Sequence, residues 1–183
     1  MGGNRTGLFM KIFPKRTTFG WLLFILVAIF SKGTLKHILI GFVFIFIGET
    51  IRTLASGIIK KNEILAVEGV YKLCRHPLYF GSFLISLGLS ITAKNIFIWI
   101  YFIVFFPLLY IPTILKEEKF LKEKFKDEYE KYQNLTPIFF PKFKKVDLKN
   151  FSWGKFKENK EYINWIVLVL LGIILLIKTK FPF

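Results

Sequence analysis

The chain has 183 residues, of which 54% are apolar and 19% aromatic, a balance too hydrophobic for a water-soluble domain and typical of an integral membrane protein. Its formal net charge of +15 falls between apolar runs and forms no stripe of interleaved bases and aromatics, which argues against nucleic acid and for an anionic membrane surface. Cys74 is the sole cysteine and His37 and His76 the sole histidines, so neither an intrachain disulfide nor a metal-ligand cluster is expected.

Residues 1 to 18 carry Arg5, Lys11, Lys15 and Arg16 without an acid and read as a cytoplasmic lead-in, with no small-x-small cleavage pattern near Ala28 to mark a signal peptide. A first span is expected over Thr17 to Phe30, retained and short for a crossing of about 20 residues. A second begins near Leu35 and stays helical to Ile59, with Glu49 and Arg52 three apart as an interfacial ion pair. The segment from Lys60 to His76 is polar and turns at Gly69.

Proline suits the first turn of a helix, so Pro77 marks the start of a third span that runs to about Ala93, with His76 at or beside its N-cap. The free N–H groups there, with Arg75 and His76, favour an anionic ligand, although an Arg-His pair at this point also serves as an interfacial anchor. Ser82, Ser86, Ser90 and Ala93 give this span a small-residue packing face. After the minimal turn Lys94-Asn95, a fourth span covers about Ile96 to Leu115, where Pro107 and Pro112 are expected to kink the helix and open a cavity.

A charged helix follows from Lys116 to Tyr132. Glu117, Leu121, Phe125 and Tyr129 recur at intervals of four, which puts Glu117 on the buried face and leaves Glu118 to solvent. Lys142 to Lys160 is suited to anionic headgroups, and a fifth apolar run covers Tyr162 to Ile177. The expected fold is therefore all-α: a polytopic membrane helical bundle of about five transmembrane helices. It forms a single domain over 1–183, with a motif-bearing core at about 45–141 and a basic segment plus last span at 142–183. Both large loops, 60 to 76 and 116 to 161, are rich in lysine and arginine, which places them and the N-terminus in the cytoplasm, and with them a cytoplasmic cofactor pocket.

Two signatures stand out: Gly69-Val70-Tyr71 followed by Arg75-His76-Pro77-Leu78-Tyr79-Phe80-Gly81, and Glu117-Glu118 followed by Phe125, Tyr129, Tyr132 and Pro141. Together they resemble the integral membrane methyltransferases typified by isoprenylcysteine carboxyl methyltransferase, to which phospholipid methyltransferases are related. The resemblance implies S-adenosyl-L-methionine as cofactor and a lipophilic small-molecule acceptor that enters from the bilayer. It implies that His76 and Tyr79, with the backbone at Pro77 and Leu78, hold the methionine end. Tyr71 and the strip Glu63, Ile64, Leu65, Ala66 would line the nucleoside part, and Glu117 would accept hydrogen bonds from the cofactor. Arg75 either positions an anionic acceptor as a catalytic group or stabilises the corner. Where isoprenylcysteine enzymes carry an arginine four residues before the first glutamate, this chain has Thr113.

Two other readings share the architecture. One is an NADPH-dependent membrane reductase of related fold; the other is a non-catalytic membrane scaffold.

Overall fold

The computed structural model describes residues 6–59 and 64–180, with side chains from residue 18 onward. All regular structure among them is helical. The order is α1 (Thr6–Phe30), α2 (Leu35–Ile58), a short 3-10 turn (Gly69–Lys72), α3 (Pro77–Ala93), α4 (Ile96–Leu135), α5 (Trp153–Glu158) and α6 (Tyr162–Lys180). α2, α4 and α6 are long and apolar enough to cross a membrane, whereas Thr18–Phe30 and Pro77–Ala93 are shorter apolar helices. Their outward faces carry Val43, Phe46, Ile103 and Leu108, each more than half exposed, as expected where lipid is the solvent.

α3 has the bounds that its sequence announces, with Pro77 in the first turn and Lys94 closing it in the left-handed region at φ 46°. Asn95 then caps α4 by accepting from the Phe97 N–H at 3.0 Å. At this same end Asn95 Nδ2 donates to Phe30 O at 3.1 Å and Lys178 Nζ donates to Ile29 O at 2.7 Å, so the last turn of α1 is capped from α4 and α6. The helices thus alternate in direction, and the Arg75-His76 corner lies at the opposite end.

The apolar helix Thr18–Phe30 agrees with the expected first span, and the helical backbone extends before it over the described residues from Thr6. Other expectations are corrected. The fourth span runs unbroken into the charged segment as far as Lys126, because nothing between Leu115 and Lys116 breaks the helical backbone. The residue that leaves helical values is Lys126, at φ 42° and ψ −117°, while Pro107 and Pro112 stay within the helix on its exposed side. The prolines therefore open no cavity toward the corner. α5 was not expected.

The tightest contact in the molecule is between α2 and α3. Gly48 faces Gly81 and Gly41 faces Gly88, seven residues apart on each helix, so the two backbones meet without side chains between them. A Cβ on Gly48 would lie 2.6 Å from Gly81 O, and one on Gly81 would lie 2.6 Å from Gly48 O. Ser82, Ser86 and Ser90 are buried, and Ser82 and Ser90 turn their hydroxyls back to carbonyls one turn earlier, at 3.0 and 2.9 Å. Against this pair pack Phe19, Leu23 and Val27 of α1, Phe102 and Phe106 of α4, and Leu168, Leu171 and Leu175 of α6.

Gly48→Val is expected to force α2 and α3 apart, lowering stability by about 1–3 kcal/mol or more, because backbone rather than a movable side chain stands in the way. Gly20→Ala, at a position with nothing within 4 Å, should leave the unfolding midpoint in detergent unchanged and serves as the control.

Candidate active site

The end of α2, the loop before α3 and the middle of α4 enclose a cleft of about 110 Å³. Its wall on one side is Ile59, Ile64, Leu65 and Ala66; on the second, Tyr71, Arg75, His76, Pro77, Leu78 and Tyr79; on the third, Glu117, Phe120, Leu121, Phe125 and Tyr132. Of the residues singled out from the sequence, Ile64, Leu65, Ala66, Tyr71, Arg75, His76, Pro77, Leu78, Tyr79 and Glu117 all meet here. Glu63 lies outside the described residues.

Local chemistry explains why these segments converge. Gly69 takes φ 58°, a conformation that side-chain-bearing residues rarely adopt, and so turns the loop back beneath α2. Tyr132 donates its hydroxyl to Tyr71 O at 2.7 Å, which fastens the far half of α4 to that turn. Arg75 N donates to Pro137 O at 2.9 Å and Lys142 N to Leu73 O at 2.9 Å, so the chain beyond α4 is stitched to the corner.

Glu118 is the hub of the site and was missed in the sequence. Arg75 Nη2 lies 2.9 Å from its Oε2, His76 Nε2 lies 2.7 Å from its Oε1, and Tyr129 donates a short hydrogen bond to the same Oε1. Its side chain is 13% exposed against 30% for Glu117, the reverse of the expectation. An α-helix has 3.6 residues per turn, so each step of four from Glu117 drifts by about 40°, and the backbone break at Lys126 ends the helical phase before Tyr129 is reached. Glu118, Leu121 and Phe125 are spaced three and four, which holds one face as far as the break at Lys126. That spacing was the available signal. Across the break, Leu121 and Phe125 still pack with Tyr129 and Tyr132 against Leu65.

Glu118 also changes the meaning of the corner. The donors expected to wait for a ligand anion are engaged by the protein's own carboxylate, and Arg75 in addition donates from Nη1 to Gln133 O at 3.2 Å. Glu117 is held differently: Tyr79 donates its hydroxyl to Oε2 at 2.6 Å, while His76 Nδ1 stands 3.8 Å away, beyond hydrogen-bonding range. The Tyr79 ring stacks on His76 with centroids 5.4 Å apart. Tyr71 lines the cleft with a buried hydroxyl that has no hydrogen-bond partner among the described residues, the kind of group that a bound molecule satisfies. Burial, followed by the nearby Glu117, pushes that phenol well above its ordinary value, so it acts as a hydroxyl donor. Thr113 turns its hydroxyl to Leu109 O at 2.7 Å and does not line the cleft.

Cys74 is 1% exposed, and burial pushes its thiol up to about 12 although the His76 backbone N–H pulls the other way.

Known proteins are similar to this chain over the region that holds the cleft. A family model described as the ergosterol biosynthesis ERG4/ERG24 family matches residues 47–152. Cobalt-zinc-cadmium resistance protein CzcN of Cupriavidus metallidurans is 37% identical over 83 residues, which is 45% of this chain and 38% of that protein. Protein-S-isoprenylcysteine O-methyltransferase of Saccharomyces cerevisiae is 29% identical over 124 residues, covering 61% of this chain and 52% of that protein. Protein-S-isoprenylcysteine O-methyltransferase B of Arabidopsis thaliana is 30% identical over 128 residues, covering 62% and 65%. In each case the matched part spans less than two thirds of the relative's length. No solved structure matches the chain.

Glu118→Gln is expected to cost more stability than Glu117→Gln, by about 1.5–3 kcal/mol, since it removes the charge from hydrogen bonds to three side chains instead of one. Chemical denaturation of the two variants in the same detergent measures the difference. Cys74 is expected to stay unreactive toward a maleimide until the protein unfolds. Because its folded-state value lies above the ordinary 9.0, the stability it contributes is fully present below about pH 9 and is lost as pH rises toward 12. Thiol titration of native and unfolded protein reads this directly.

Proposed function

This chain belongs to the ergosterol biosynthesis ERG4/ERG24 family, and we propose that it is a methyltransferase that uses S-adenosyl-L-methionine and acts on a lipid-soluble acceptor. The observation that carries the reading is the meeting of both signatures on one cleft, Tyr71, His76 and Tyr79 from one and Glu117 from the other. The names of the yeast and plant relatives support the reaction class.

The residues fit the group. Bound there, it would supply a methyl carbon activated on a cationic sulfonium. With Arg75 held by Glu118, Glu117 is the carboxylate of the described lining, which suits a cationic ligand. Glu117 keeps one carboxylate oxygen beyond the one that Tyr79 occupies, and the unpaired Tyr71 hydroxyl offers a donor. Ile64, Leu65, Leu121 and Phe125 give the apolar surface that a heteroaromatic base requires. His76 is fixed by Glu118 and stacked on Tyr79, so in this reading it positions the ligand's polar end. Methyl transfer needs alignment more than acid–base machinery, and rigid placement of these side chains supplies that. Arg75, engaged by Glu118 and Gln133 O, serves here as the clamp of the corner.

A second reading is an NADPH-dependent membrane reductase of related fold. Titrating purified protein with S-adenosylmethionine and with NADPH separates the two, and binding of NADPH alone would overturn the methyltransferase. Membranes incubated with methyl-labelled S-adenosylmethionine are expected to place label in the organic-extractable fraction, and Glu117→Gln should reduce this by about ten- to a hundredfold, the value of one charge-assisted hydrogen bond. Label confined to water-soluble products would sink the lipophilic acceptor.

A further inference from the structure

α2 does not cap its own end. The last four carbonyls of a helix lack partners within it. Here Ala55 O receives the Ile59 N–H at 3.1 Å, and the other three are met by a segment about a hundred residues further on. Asn159 Nδ2 donates to Ser56 O at 2.9 Å, Ser152 N to Gly57 O at 2.9 Å, and Lys155 Nζ to Ile58 O at 3.0 Å. The ammonium of Lys155 also meets the negative end of the helix dipole. Gly57 has no side chain where the Phe151 ring lies, so the segment seats directly on the α2 backbone.

On its other side the end of α2 supports the cleft. Ala55 and Ile58 pack with Val70 and Tyr71, joined by Ile59, Ala66 and Leu78. Ile59, Ala66, Tyr71 and Leu78 all line the cleft. Val146 packs on the same cluster, and Asn150 donates a short hydrogen bond to Glu68, so the loop that carries Tyr71 is gripped from the same stretch of chain.

We propose that residues 151–159 are a positioning element for the cleft, with Lys155 and Asn159 as its positioning residues. The proposal rests on the cleft being the ligand site inferred above. By fixing the end of α2 they hold Ile59, Ala66 and Tyr71 in place without touching the ligand. Because coupling is reciprocal, filling the cleft also tightens the segment.

Full-length protein in detergent tests this by hydrogen exchange, read by mass spectrometry without ligand. In Lys155→Met/Asn159→Leu, exchange over residues 64–76 should be about tenfold faster than in wild type, the effect of roughly one lost hydrogen bond, while residues 96–115 are unchanged. Lys155→Arg, which keeps a cationic donor, should restore the slow exchange when combined with native Asn159. Should the double variant fail to fold, Lys155→Met alone is read in the same way. Exchange over 64–76 that stays at the wild-type rate, or that rises no more than it does over 96–115, overturns the proposal. A second arm titrates S-adenosylmethionine: affinity should fall about three- to tenfold in the variants, and the ligand should slow exchange over 151–159 in wild type. Wild type that binds no S-adenosylmethionine overturns the methyltransferase reading and leaves the exchange arm to decide this one.

Discussion

The approach of α2 to α3 sets everything at the cleft end of the molecule. With glycine facing glycine at two levels, the helices have one register and no freedom to slide, because any shift brings a Cβ against a backbone oxygen. That register puts Arg52 of α2 beside the first turn of α3, where its Nη1 donates to Ser82 Oγ at 2.6 Å. It also fixes the height of Pro77 relative to Ile58, and hence the gap between the loop wall and the helix wall of the cleft. Apolar packing alone could not do this. Between lipid-facing helices the hydrophobic driving force is weak, so close backbone contact and buried polar bonds must determine the geometry.

Within that frame Glu118 solves an electrostatic problem. Arg75 is the residue before an N-cap, and its side chain is 7% exposed. A guanidinium so placed needs an anion, and the start of α3 adds a partial positive charge of its own. Glu118 supplies the anion from α4, and by bonding His76 as well it ties α4 to the start of α3, beside the Tyr79–Glu117 hydrogen bond that joins the same two helices. The site thereby separates two carboxylates by role. Glu118 is consumed in holding the corner, while adjacent Glu117 keeps acceptor capacity toward the cleft.

Much of this was readable in the residues. The bounds of α3 follow from Pro77 and from the turn Lys94-Asn95, local signals that no tertiary contact overrides. The two signatures named the side chains that line the cleft, because a motif preserves spacing in space as well as in sequence. Glu117 lines the cleft with Leu121 and Phe125, as its spacing suggests, but Glu118, which the count by fours left to solvent, is the less exposed of the two at 13% against 30%. The cavity expected from Pro107 and Pro112 is a different case, for neither residue lines the cleft. Both prolines face outward in a helix whose backbone tolerates them, and the departure occurs at Lys126, whose identity gives no warning. The tail segment was legible only as basic and interfacial. Its partners are backbone carbonyls, which leave no trace in side-chain pattern, and they lie about a hundred residues away.

The same end of α2 shows what buried charge contributes here. Arg52 bonds Ser82 of α3 and, from Nη2, both oxygens of Glu161 at the start of α6, at 2.7 and 2.9 Å. Its Nε stands 3.6 Å from Glu49, a carboxylate with no exposed surface and no hydrogen bond among the described residues, so the two form only a long ion pair. One guanidinium therefore serves two carboxylates from two helices. Such a cluster is weak evidence for stability, because desolvating three charges costs about as much as their attraction returns. Its directional bonds, however, can be satisfied in one arrangement of α2, α3 and α6 only. Trp165 of α6 adds a bond from Nε1 to Thr53 Oγ1 at 2.9 Å on the same turn of α2. The glycine pairs fix α2 against α3, the Arg52 cluster fixes α6 against both, and the segment that leads into α6 then arrives with the geometry needed to cap α2. The order matters: the cap can hold the cleft wall only because the helix it caps is already held on two sides.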